Sequence, residues 1–119
     1  MSEASHEPVD SLREYVSRLE ERDMIRTVTG ADWEYEVGAL TEIGVRVDDP
    51  KALMFDDIVD YEPGYRILSA PYLTDEHHAV GLGIDPTVSS VEIVRQWKNR
   101  MNDIDPIPPN EVSSGPVQD

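Results

Sequence analysis

Cysteine is absent from all 119 residues. That excludes disulfides, thiolate nucleophiles and thiolate metal sites together. Lysine is nearly absent: Lys51 and Lys98 are the only two, beside eight Arg and against 13 Asp and 12 Glu. Aromatic residues make up 7% of the chain and hydrophobic ones 39%, so the material for a core is lean. No apolar run approaches membrane-spanning length, and no basic region followed by an apolar stretch opens the chain. The net charge of −15 argues against nucleic-acid backbones, whose recognition rewards dense Lys and Arg. The expectation is therefore a cytoplasmic protein with no nucleic-acid or membrane partner.

A Lys-poor, Asp-rich surface stays hydrated even when salt screens charge over only ~3 Å, at roughly 1 M. The composition points to a salt-adapted source such as a halophilic archaeon, with an ordinary acidic bacterial protein as the alternative. The length suits one domain, able to bury roughly 65% of the surface its unfolded chain exposes.

Residues 1–9 are polar, carry Pro8 and lack periodicity, which reads as a mobile leader. Ser11 and Glu14 have capping-box spacing, and Leu12, Tyr15, Val16 and Leu19 follow at helical intervals, giving a first helix to about Arg22. Met24–Thr29 is short and β-branched and ends at Gly30, so it reads as a strand. Asp32 is placed to cap a second helix with Val37, Leu40, Ile43 and Val47 on one face, where Gly38 and Gly44 would mark close packing against a sheet. Asp48-Asp49-Pro50 breaks it. The run Ala52–Phe55 reads as a buried strand, Asp60–Tyr65 as turn chemistry and Arg66–Ala70 as a neighbouring strand closed by Pro71. Thr74 or Asp75 caps a short helix stopped by Gly83. Ser89 and Glu92 repeat the capping-box spacing before a last helix striped by Val91, Val94, Trp97 and Met101. From Asp103 onward Pro106, Pro108, Pro109 and Pro116 forbid a helix and leave an extended or disordered tail. The order predicts an α+β (layered α/β) class: a small mixed sheet flanked by helices, with an extended Pro-rich tail.

No constellation for chemistry emerges from the residues alone. His77-His78 is the one adjacent pair of metal-capable ligands, but neighbours on a helix point ~100° apart and cannot aim at one ion, which wants i, i+4 spacing. Exposed or capping histidines are the expectation, and His6 sits in the leader without an evident partner. Asp48-Asp49 and Asp56-Asp57 lack EF-hand spacing and read as solvated edges. Gly81-Leu82-Gly83 lacks the third glycine and the preceding strand of a dinucleotide loop. No Ser or Thr sits in a nucleophile-elbow pattern. Trp33, Trp97, Tyr61 and Tyr65 read as core aromatics rather than pocket lining.

The segments, taken in order, resemble a known family. Ser11-Leu12-Arg13-Glu14-Tyr15 followed by Leu19-Glu20-Glu21-Arg22-Asp23-Met24-Ile25-Arg26 is similar to the opening of UbiD-family decarboxylases. Asp32-Trp33-Glu34-Tyr35-Glu36-Val37-Gly38-Ala39-Leu40 resembles that family's next helix. Ala52-Leu53-Met54-Phe55-Asp56-Asp57-Ile58 and Gly64-Tyr65-Arg66-Ile67-Leu68 resemble its following strands. Pro106-Ile107-Pro108-Pro109 and Gly115-Pro116-Val117-Gln118 resemble the connector into its central domain.

The resemblance implies a (de)carboxylase of aromatic or α,β-unsaturated acids that uses prenylated FMN, a divalent metal (manganese) and potassium. It also implies that flavin, metal and catalytic residues lie in later domains, so no catalytic, cofactor-binding or metal residue is assigned on this chain. Residues 1–9 then form a leader, 10–103 a UbiD-like N-terminal domain and 104–119 the connector. The implied role is assembly with a catalytic flavin-binding domain or subunit, as a fragment or split subunit inactive alone. Without that partner an apolar patch would be left, favouring a homo-oligomer. The alternatives are a free-standing, non-enzymatic interaction module whose Pro-rich tail docks on a partner, and a small metal-binding protein using His77 and His78.

Overall fold

The computed structural model describes residues 7–118. Residues 1–6 of the expected leader, with His6, lie outside the described residues. The elements run α1 (Leu12–Glu21), β1 (Ile25–Thr29), α2 (Glu36–Gly44), β2 (Ala52–Asp56), β3 (Ile67–Ser69), α3 (Asp75–Leu82) and α4 (Ser90–Asn102), with a single 3-10 turn at Pro116–Gln118. This is an α+β fold with a mixed three-stranded sheet.

Helix starts follow the side-chain oxygens. Ser11, Thr74 and Ser89 cap α1, α3 and α4 by accepting from the N–H groups of Glu14, His77 and Glu92. In α1 the reciprocal bond of a capping box shifts by one residue: the Glu14 carboxylate accepts from Asp10 N–H at 3.0 Å. At Ser89 the reciprocal bond gives way to others, because the Glu92 carboxylate turns to Gln96 and Arg95. Asp32 caps a turn rather than the helix itself. Its Oδ1 accepts from Tyr35 N–H at 2.8 Å while Glu36 accepts from Asp32 N–H at 3.0 Å, and α2 begins only at Glu36. The left-handed Gly83 (φ +65°) ends α3.

The sheet order is β1-β2-β3, with β1 and β2 parallel from Ile25↔Ala52 to Thr29↔Asp56. β2 and β3 are antiparallel from Leu53↔Ser69 to Phe55↔Ile67. β2 is central and covered on both faces, which is why Ala52–Phe55 is continuously apolar and buried. On one face Ala52 packs with Tyr15, Leu19 and Val80 of α1 and α3. On the other, Leu53 and Phe55 pack with Ala31, Val28 and Val37. Full burial of a side chain such as Leu19 or Phe55 contributes about 1.5–3 kcal/mol. Gly44 permits the close approach of α2, since a Cβ there would sit 3.1 Å from Leu53 Cδ1. Gly38 has nothing within 4 Å of such a Cβ, so it marks no close packing.

Three expectations are corrected. Of the face expected on α2, Val37 packs against the sheet while Leu40 and Ile43 are exposed, and Val47, also exposed, lies beyond the helix end at Gly44. In α4 the stripe Val91, Val94, Trp97 and Met101 is exposed and Ile93 is the buried residue, packed with Ala79 and Ile84. Arg100 sets that rotation by donating to the Leu82 and Gly83 carbonyls at the end of α3. Trp33, Trp97, Tyr61 and Tyr65 are exposed, while the buried aromatics are Tyr15 and Phe55. Of the two histidines expected to be exposed or capping, His77 serves the Thr74 cap of α3 while buried at 2% exposure, and His78 is exposed. Residues 7–9 lie against the domain: Val9 N–H donates to the Gly81 carbonyl and Arg18 donates to the Glu7 carbonyl. Residues 104–112 form neither helix nor strand.

Candidate functional site

The two histidines that sequence singled out diverge on α3. His77 Nε2 donates to the Met24 carbonyl at 2.9 Å, and its Nδ1 accepts from the Thr74 hydroxyl at 2.7 Å. A carbonyl can only accept, so the ring is the Nε2–H tautomer and both nitrogens are occupied. His78 is exposed, bonds through Nδ1 to the Thr74 carbonyl at 2.9 Å and packs against the Tyr72 ring. The pair thus serves the α3 cap and the α3–β1 junction and does not converge on a common point. Among the described residues no group of three or more His, Asp or Glu side chains is gathered to hold a metal.

A cleft of about 500 Å3 lies beside His77, lined by Asp23, Asp48, Asp49, Lys51, Asp75 and Glu76 among others. Lys51 reaches Asp23 at 2.7 Å and holds that carboxyl below its ordinary value. Five carboxylates against one lysine repel a phosphate, so this lining does not fit a phosphate-bearing flavin. Asp56 and Asp57 lie apart from this cleft, at the end of β2. The glycines of Gly81-Leu82-Gly83 are structural: Gly81 abuts the rings of Tyr72 and Tyr15. Tyr15 itself is buried and donates its hydroxyl to the Pro71 carbonyl, and burial, helped by Tyr72, pushes its phenol well above the ordinary value.

The remaining candidate surfaces are an aromatic groove, a depression of mixed polarity and an exposed helix face. Trp33, Ile58, Tyr61, Tyr65, Arg66 and Ile67 line a groove of about 250 Å3. On the other side of the sheet, Leu12, Val16, Met54 and Leu68 share with Arg13, Glu20 and Arg66 a depression of about 500 Å3 between α1 and β3. The third surface is the outer face of α4, where Val91 and Val94 are 74% and 67% exposed. This helix has three basic residues (Arg95, Lys98 and Arg100) and one acid (Glu92), a net +2 that leaves −17 on the rest of the chain. The spacing of Val91, Val94, Trp97 and Met101 was visible in the sequence; that it faces outward was not.

The fold and its surfaces can be set beside known proteins. The family model described as the 3-octaprenyl-4-hydroxybenzoate carboxy-lyase N-terminal domain matches residues 16–100. The chain belongs to this family, UbiD_N. The UbiD_N match confirms the resemblance read from the ordered segments. Two solved structures share the fold, both of Sedimentibacter hydroxybenzoicus vanillic acid decarboxylase in open form. One, with truncated ShVdcD, is 23% identical at a TM-score of 0.75 over 86% of this chain and 21% of that chain. The second is 24% identical at a TM-score of 0.75 over 87% of this chain and 22% of that chain. The UbiD_N chain therefore spans about a fifth of the length of those structures. No curated protein matches it. Among the described residues, no helix is long and apolar enough to cross a membrane.

Proposed function

We propose that this chain is the assembly domain of a UbiD-type, prenylated-FMN-dependent (de)carboxylase of aromatic or α,β-unsaturated acids, a cytoplasmic enzyme whose catalytic groups lie on another domain or subunit. The observation that carries this reading is the outward apolar face of α4 in a chain that belongs to the UbiD_N family. An apolar stripe at helical spacing is the signature of a helix that lies in a partner's groove. The Arg95 and Lys98 positions beside it call for a partner with acidic rims. Two α4 helices packed on each other would instead bring those cations together, and charge disfavours that pairing.

Prenylated FMN, the divalent metal and potassium belong to the complete enzyme in this reading. The acidic cleft does not suit the flavin phosphate, and the groove of about 250 Å3 is smaller than the roughly 300–1,000 Å3 usual for ligand sites. The chain's own part is to present α4 and to hold the catalytic domain in place.

Reconstitution tests the reading. The chain is mixed with the flavin-binding polypeptide of the same organism's decarboxylase, and complex formation and aromatic-acid decarboxylation are measured. A stable complex is expected, weakened ~10-fold or more by Val94→Asp. Absence of a complex, or a complex indifferent to Val94→Asp and Val91→Asp together, would reject the docking role. A free-standing interaction module is the second reading, favoured by the exposed Pro-rich tail, in which Ile107 is 92% exposed.

A further inference from the structure

We propose that the aromatic groove is a receptor for the Pro-rich segment 103–109 of a second copy of this chain. This does not depend on the decarboxylase reading, because both halves of the contact lie on the chain itself.

The groove has the build of a site for extended peptide. Ile58 and Ile67 contribute aliphatic lining beside the rings of Trp33, Tyr61 and Tyr65. Tyr61 and Tyr65 meet edge to face with centroids 6.0 Å apart. The lining is apolar apart from one charged side chain, Arg66. Aromatic grooves of this kind take polyproline-type segments, because a proline ring packs flat on an aromatic face and its fixed φ leaves little entropy to lose. Its volume of about 250 Å3 suits a few side chains of a narrow strand.

The segment has the matching chemistry. Pro106, Pro108 and Pro109 restrict its backbone, and residues 104–109 form neither helix nor strand. Ile104 and Ile107 stand three apart, so in a polyproline helix they fall on one side, about 9 Å from each other. Both are exposed, Ile107 almost completely. Asp103 and Asp105 supply the anions, and among the described residues Arg66 has no ion-pair partner. Within one chain the segment does not occupy the groove, since its isoleucines remain exposed. A second copy can fill it, and reciprocal exchange of tails closes a two-fold dimer without a free end.

The test is sedimentation equilibrium of the full chain from micromolar to millimolar concentration, in roughly 1 M KCl so that repulsion between acidic copies is screened. A monomer–dimer equilibrium is expected. Trp33→Ala, Tyr65→Ala and the triple variant Pro106→Ala/Pro108→Ala/Pro109→Ala should each raise the dimer Kd ~10-fold or more. Arg66→Glu should weaken the dimer, and adding Asp105→Arg should restore it. Val91→Ser, on the outer face of α4, should leave the Kd unchanged. A synthetic peptide of residues 103–109 should compete and shift Trp33 fluorescence. All these positions are exposed, so an unchanged circular dichroism spectrum verifies that each variant folds. A chain that stays monomeric at millimolar concentration overturns the proposal. So does a dimer insensitive to Trp33→Ala and Tyr65→Ala, or one dissociated by Val91→Ser. Binding of the peptide to the triple variant but not to a monomeric parent chain would show the tail docked on its own body and would overturn the second-copy assignment.

Discussion

His77 Nε2 lies 2.9 Å from the carbonyl oxygen of Met24, 53 positions away in sequence. The same carbonyl accepts from Ala52 N–H at 3.0 Å. One backbone oxygen thus joins the entry of β1, the entry of β2 and the first turn of α3. The other His77 nitrogen holds the Thr74 hydroxyl that caps α3.

Replacing His77 removes both bonds and leaves a hole beside the sheet. His77→Ala is expected to destabilise the fold by about 2–3 kcal/mol, from lost hydrogen bonds plus a cavity. His78→Ala, at an exposed position, should stay within about 0.5 kcal/mol. Urea midpoints at constant m-value separate the two. Equal effects would mean that burial of His77 contributes nothing.

Three carboxylates, Asp23 exposed and Glu14 and Asp32 half-buried, make the domain acid-sensitive. Glu14 is held below its ordinary 4.5 chiefly by Asp10 N–H and then by Arg18. Asp23 is held below 3.8 by the Lys51 hydrogen bond, and Asp32 below 3.8 by the N–H of Tyr35. A depressed folded value means that the unfolded chain takes up protons first. The contribution is therefore complete above the ordinary carboxyl range and is lost as pH falls through it towards the lower folded values. Urea midpoints should hold steady above about pH 5 and drop below about pH 4. Glu14→Gln should flatten part of that drop, and a variant with the parent's full acid slope would contradict the assignment.

Local chemistry made much of this fold legible. The caps at Ser11, Thr74 and Ser89, the stop at Gly83 and the two-sided burial of β2 each depend on residues close in sequence or on a continuous apolar run. The outward stripe of α4 was hidden because spacing marks an apolar face without saying what covers it. Which way α4 turns is decided by Arg100 reaching the end of α3 and by Ile93 entering the small core with Ala79 and Ile84. His77 was hidden for a related reason, since its burial depends on the distant Met24 carbonyl. The aromatic groove joins Trp33, which follows β1, to Tyr61 and Tyr65 from the β2–β3 connection, and no periodicity links them.

Salt dependence follows from the charge balance. With −15 on 119 residues and Asp48-Asp49 and Asp56-Asp57 as adjacent like charges, the compact state repels itself at low ionic strength. Stability should rise between roughly 0.1 M and 2 M KCl as the screening length shortens. Thermal denaturation across that range checks it. A flat or falling midpoint would count against salt adaptation.

Gly38 and Gly83 should respond to alanine in opposite directions. Gly38 is inside α2, exposed, at ordinary helical φ, and a Cβ there meets nothing within 4 Å. Gly38→Ala should therefore stabilise by about 0.5–1 kcal/mol, through helix propensity and a less entropic unfolded chain. Gly83 sits at φ +65°, where an L side chain costs about 1–2 kcal/mol. A Cβ at that position would also lie 2.2 Å from the Glu7 carbonyl carbon, forcing residues 7–9 off the end of α3. Gly83→Ala should thus destabilise by at least the conformational cost and raise amide exchange at Val9, whose N–H donates to Gly81. Measuring that exchange separates the two contributions: strain alone lowers the midpoint and leaves Val9 protected, whereas loss of the packed segment exposes it.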